Sequence, residues 1–119
     1  MNIAIIGGSE AKRAELEQMI LSNSNRSKAY SIVCYEFIED EQIYVNSKVS
    51  VAFIFVENSK ILYRIKEFID GNDKVSIVVV SNRPEYALES IRLNIKYYLL
   101  YPLEQYEVLE ALKRSEVVL

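Results

Sequence analysis

The chain has no histidine, no tryptophan and a single cysteine, Cys34. Without histidine, neither a serine–histidine nor a cysteine–histidine catalytic arrangement can be assembled, and a zinc site of the usual nitrogen and sulfur ligands goes with it. One cysteine excludes an internal disulfide. Cys34 lies in an apolar setting with no cationic neighbour in sequence, so a buried, inert thiol is expected. Glycine and proline are scarce, at 3 and 2 residues, while half of the chain is hydrophobic and 26% is charged, a balance that leaves no disordered or low-complexity segment. Nor is there an excess of basic charge. With 14 Lys and Arg against 17 Asp and Glu, the formal net charge is -3, which opposes a large phosphate-neutralising surface for nucleic acid or an anionic membrane. No basic N-terminus followed by an apolar run marks export, and the longest apolar stretches, such as Val75 to Val80 broken only by Ser76, are far too short to cross a bilayer as a helix. A cytoplasmic location, no membrane contact and no cofactor are the expectations.

What is present reads as one domain over residues 1–119, long enough to bury about two thirds of its unfolded surface. Four apolar, β-branched runs recur: Ile3 to Ile6, Val51 to Val56, Val75 to Val80 and Tyr97 to Leu100. Little period-two alternation marks them as strands buried on both faces of a parallel sheet. Between them lie segments of helical period: Glu10 to Leu21 with Leu16, Met19 and Ile20; Lys60 to Ile69 with Ile61, Leu62, Ile65 and Phe68; Pro84 to Leu93 with Ala87, Leu88 and Ile91; and Leu103 to Arg114 with Val108, Leu109 and Leu112. Ser9 suits an N-cap, Pro84 a first turn, and Gly71-Asn72-Asp73 a helix end. Tyr30 to Phe37 alternates more and reads as an edge strand, Glu39 to Val45 as a short second helix, and the polar stretch Ser22 to Lys28 as the longest loop. Strict β/α alternation predicts an α/β fold with a doubly wound five-stranded parallel sheet, flavodoxin-like (βα)5, in the order 2-1-3-4-5.

Ser81-Asn82-Arg83-Pro84-Glu85-Tyr86-Ala87-Leu88-Glu89-Ser90, Asn94, Tyr98-Leu99-Leu100-Tyr101-Pro102 and Glu110 to Arg114 together resemble a response-regulator receiver domain. More narrowly, they are similar to the receivers of LytTR-type transcription regulators, where a Glu-Tyr-Ala-Leu-Glu stretch and a Tyr-Leu-Leu-Lys-Pro segment are usual. Met1 to Ile6 and Glu36-Phe37 before Glu41 fit the same register, with the likeness weakening between Glu57 and Ile69. Such receivers phosphorylate themselves on an aspartate with a metal held by an acidic pair after the first strand, and use a Ser or Thr and a Lys on the phosphoryl oxygens. A hard divalent cation needs several oxygen ligands, and the phosphoryl charge needs cationic or hydrogen-bonding partners. Here the acidic pair falls on Gly7 and Gly8, the phosphoacceptor position on Glu57, the hydroxyl on Ser81 and the lysine on Tyr101. One function of the four survives. A lysine facing so few carboxylates would be under-compensated, and tyrosine relieves that imbalance. The resemblance therefore implies a degenerate pseudo-receiver, not an enzyme, with no metal.

Each position also has a plain reading. Glu57 is either a standing mimic of a phosphorylated aspartate or a solvated residue where strand meets loop. Gly7-Gly8-Ser9 is either a tight turn or a weak anion-holding helix entry, though without a third glycine or a closing acid it is a poor nucleotide fingerprint. Ser81 is either a retained phosphoryl contact or a turn residue. In receivers the aromatic on the fifth strand is a rotameric switch, here Tyr98, and the fourth helix, fifth strand and fifth helix form the usual dimer face. Tyr86, Tyr97, Tyr98 and Tyr106 are candidate interface residues there, or simply cap the sheet. The expectation is a homodimerising regulatory module of a two-component transcription regulator, reaching DNA only through a domain absent from this chain, with a linker starting near Glu116. A free-standing adaptor for a protein partner such as a histidine kinase is the alternative, and a small nucleotide-binding domain is a third.

Overall fold

The third and fourth strands carry almost nothing polar, and the chain hides them accordingly. In the computed structural model, which describes residues 1–22, 30–45, 48–71 and 74–115, every residue of β3 (Val51–Phe55) and β4 (Ser76–Ser81) is buried. β1 (Asn2–Ile6) lies beside β3, and β2 (Ser31–Tyr35) and β5 (Tyr97–Leu100) form the edges. All pairings are parallel and the order is β2-β1-β3-β4-β5. This is the flavodoxin-like (βα)5 arrangement expected from the alternation of elements.

Because successive strand residues point to opposite faces, the sheet has two cores. Ile3, Ile5, Phe53, Phe55, Val78, Val80 and Leu99 meet Leu16 and Ile20 of α1 (Glu10–Ser22) and Val108, Ala111 and Leu112 of α5 (Gln105–Ser115). On the other face Ala4, Ile6, Ala52, Ile54, Ile77 and Val79 meet Ile43 of α2 (Glu41–Val45) and Leu62, Ile65 and Phe68 of α3 (Ser59–Gly71). Ser9 caps α1 as its position suggested, its Oγ accepting from Lys12 N–H at 3.1 Å. Gly71 is the last residue of α3, while Asn72-Asp73, residues 23–28 of the polar loop and the Glu116 to Leu119 end lie outside the described residues.

Three expectations are corrected. The predicted Pro84 to Leu93 helix divides into a 3-10 turn, Pro84–Tyr86, and a short α4, Ala87–Arg92. Its apolar residues do not face the core: Leu88 and Ile91 are 59% and 63% exposed, whereas Ser90 is buried with its hydroxyl donating to Tyr86 O at 2.8 Å. The inward contacts are made by the flanking Tyr86, Leu93 and Ile95, and the helix stops at Asn94, whose φ of 63° places it in the left-handed region that Asn tolerates. Cys34 is exposed on the edge strand rather than buried. Among the described residues β2 pairs with β1 alone, which leaves its outer side uncovered by a strand.

Candidate functional site

Gly7 and Gly8 follow β1 at the carboxyl end of the sheet, with φ of 84° and 69° that side chains with a Cβ rarely adopt. The turn spends its polar groups internally. Gly7 N–H donates to Tyr35 O at 2.9 Å, and Arg13 Nη1 of α1 donates to the carbonyls of Gly7 at 3.0 Å and Gly8 at 2.6 Å. The cleft beside Gly7, walled by Ile6, Phe37, Ile38, Ile54 and Ile61, measures about 50 Å³, well below the several hundred that small-molecule sites usually need. A tight turn accounts for the glycines.

The residue facing this turn is Phe55, not Glu57. The third strand ends at Phe55, one residue before the Val56 at which the acceptor alignment ends it, and Phe55 is 4% exposed. A Cβ built on Gly8 would stand 2.9 Å from Phe55 Cγ. Glycine at 8 and phenylalanine at 55 therefore interlock, since the ring occupies the space in which a side chain at 8 would lie. Glu57 is exposed beyond the strand end.

Tyr101, next to the cis Tyr101-Pro102 bond, closes the other side. Its ring centroid lies 6.2 Å from that of Phe55, Lys12 Nζ approaches within 5.3 Å of its centroid, and its hydroxyl donates to Glu15 Oε1 at 2.6 Å. Burial, reinforced by the Glu15 carboxylate, pushes the Tyr101 phenol well above its usual range. Ser81 is buried with both sides of its hydroxyl in use: it donates to Val56 O at 2.7 Å and accepts from Arg83 N–H at 3.1 Å. These contacts fasten the β3 and β4 ends together, the role of a turn residue.

The tyrosines separate. Tyr98 packs on the α3 side and donates its hydroxyl to Arg83 O, with burial the main cause of its raised pKa. Tyr97 packs on the opposite face, where the Arg114 guanidinium lies 5.5 Å from its ring centroid. Tyr86 is half-buried, and only Tyr106 of the four is strongly exposed, at 69%.

A divalent ion of the kind receivers hold does not fit this set. Positions 7, 8 and 55 offer no carboxylate, the carbonyls of the glycine turn are already bound by a guanidinium, and among the described residues no three of His, Cys, Asp and Glu gather as ligands. Phe55, Arg13, Lys12 and Glu15 escaped the sequence reading because the first looks like one more apolar strand residue and the others like an ordinary solvated helix face.

No family model matches the chain, and no curated protein matches it. Solved structures do. The response regulatory domain of the protein mrkE from Klebsiella pneumoniae superimposes with a TM-score of 0.78 at 19% identity, covering 96% of this chain and 93% of that one. The fold is the receiver fold. A putative pilus assembly-related protein from Burkholderia pseudomallei shares it, with a TM-score of 0.76, 17% identity and coverage of 97% and 88%, as does a CheY-like response regulator protein from Mesorhizobium loti, at 0.73, 14%, 97% and 98%. Among the described residues no helix is long and apolar enough to cross a membrane.

Proposed function

We propose that this chain is a receiver-fold regulatory module that works by protein contact and takes up no phosphoryl group. The observation that carries this reading is the interlock of Gly8 with Phe55: the place where a receiver needs carboxylates is filled by a buried ring, backed by Tyr101 and by Arg13 on the turn carbonyls. The replacements fit one another sterically and electrostatically, which suits a remodelled pocket rather than one with a single lost group. Glu57, exposed beyond the strand end, is better described as a solvated carboxylate than as a phosphate mimic.

The contact face of the proposal is α4, β5 and α5. Leu88 and Ile91 on α4, Leu100 at the end of β5 and Tyr106 and Leu109 on α5 are all exposed, between 36% and 69%. Apolar side chains gathered on neighbouring elements suit a protein interface. A homodimer through this face is the reading that follows, in a LytTR-type transcription regulator whose DNA-binding part lies outside this chain. The likeness to a pilus assembly-related protein favours a second reading, an adaptor for another protein.

Incubation with acetyl phosphate and magnesium, followed by intact mass measurement, tests the proposal. An unchanged mass and unchanged sedimentation are expected; an acid-labile phosphoryl adduct would refute it. Sedimentation of Glu57→Gln separates the mimic idea, which requires weakened self-association, from the solvated carboxylate, which requires none.

A further inference from the structure

β2 is one of the two edges of the sheet, and its outer backbone groups meet no strand among the described residues. The β2–β1 ladder opens with Ser31 N–H donating to Met1 O and closes with Gly7 N–H donating to Tyr35 O, each at 2.9 Å. In a parallel ladder alternate residues bond the same neighbour, so Ser31, Val33 and Tyr35 serve β1 while Ile32 and Cys34 turn their backbone groups outward. Among the described residues no strand pairs with them. Edges of this kind are usually blunted by a charged residue, a proline or a bulge. Ser31-Ile32-Val33-Cys34-Tyr35 has none of these, and Val33 and Cys34 are both exposed, Val33 at 48%.

We infer that this edge pairs with the same edge of a second copy, the two β2 strands running antiparallel about a two-fold axis at Val33. In that register Ile32 of each copy faces Cys34 of the other, so the outward N–H and C=O groups of both residues are exchanged in hydrogen-bonded pairs. Ser31 then faces Tyr35, and Val33 faces its own counterpart. Among the strands' own residues no like charges are apposed: the first acidic residue beyond the strand, Glu36, falls opposite Tyr30. Moving the axis to Cys34 would leave Ser31 opposite Phe37, beyond the strand end, so the Val33 axis is the one that matches all five residues. A strand without charge selects no basic or acidic peptide, and its own sequence is the apolar complement it fits. The proposal concerns the sheet edge opposite β5 and is independent of the α4, β5 and α5 face.

Cross-linking at the axis tests it. A non-hydrogen-bonded pair holds its Cα atoms about 4.5 Å apart, within disulfide reach, whereas diagonal neighbours stand about 7–8 Å apart, beyond it. The full chain carrying Val33→Cys and Cys34→Ser, with Ile91→Glu to weaken the α4 face, is therefore expected to form a disulfide dimer on mild oxidation at least about tenfold faster than the chain with Cys34 intact and Ile91→Glu. Adding Ile32→Pro, which removes an outward N–H, is expected to slow that dimerisation by a similar factor with the circular dichroism unchanged. Equal cross-linking rates for the Val33→Cys and Cys34 chains, or faster linkage through Cys34, would overturn the proposal. If Ile32→Pro unfolds the chain, Val33→Lys in the Ile91→Glu background replaces it, and a sedimentation mass that does not fall relative to that background would equally overturn it.

Discussion

Gly8 has no room for a methyl group. The Phe55 ring stands 2.9 Å from where its Cβ would be, and the backbone φ of 69° adds strain for any residue but glycine. Gly8→Ala is expected to destabilise the fold by about 1–3 kcal/mol in urea unfolding, and by less in a Phe55→Leu background, because the two positions compete for one space. Additive losses would contradict the interlock. Tyr101→Phe removes the hydroxyl bonded to Glu15 and is expected to cost about 1 kcal/mol. The sign of its pH dependence follows from the raised phenol. Its ionisation is harder in the folded chain than in the unfolded one, so the stabilisation is complete below about 10 and erodes as pH rises beyond it, where the unfolded chain ionises first. Tyr101→Phe should flatten the alkaline limb of a stability profile without abolishing it, since Tyr98 and Tyr106 shift in the same direction. Cys34 is exposed, yet partial burial, with Glu17 adding to it, raises the thiol pKa. Its reaction with a disulfide reagent at neutral pH is expected to be slower than that of a free cysteine. The glycines and Tyr101 were legible as departures from a pattern, and Ser81 as the hydroxyl that keeps it. Phe55 was not, because an apolar residue ending an apolar run carries no mark of what it faces.

Elements were read with unequal success for a physical reason. Strands covered on both faces must be apolar throughout, so β1, β3 and β4 announced themselves and their order followed from the alternation with helices. In α3 the stripe Leu62, Ile65 and Phe68 faces the sheet as its period implied. In α4 the same kind of period faces outward, because periodicity shows that a helix has an apolar side without showing what covers it. Leu88→Lys and Ile91→Lys are therefore expected to change unfolding free energy by no more than about 0.5 kcal/mol, whereas Ile54→Ala or Ile65→Ala should cost about 2–4 kcal/mol. The same lysine variants should lower the self-association measured by sedimentation-velocity ultracentrifugation if α4 forms the contact face. Large losses of stability at 88 or 91 would place those side chains inside.

At the scale of the molecule, the (βα)5 topology and the edge position of β2 were present in the order of apolar runs, because right-handed crossovers leave few alternatives. The absence of carboxylates at positions 7 and 8 is legible in the sequence, but the packing around them depends on contacts between β1, β3, α1 and the Tyr101 segment that are distant in sequence. β2 and β5 bound opposite edges of the sheet, so contacts through the β2 edge and through the α4, β5 and α5 face would not close on one another. Two such two-fold contacts per chain build linear assemblies, and the average mass should rise with concentration, with Ile91→Glu limiting it to a dimer. The central claim, a receiver fold whose phosphoryl pocket is filled by its own side chains, is tested most directly by nuclear magnetic resonance of the nitrogen-labelled chain titrated with beryllofluoride and magnesium. The account expects the amide signals of Gly7, Gly8, Glu57 and Ser81 to stay where they are. Saturable shifts of those signals would contradict it.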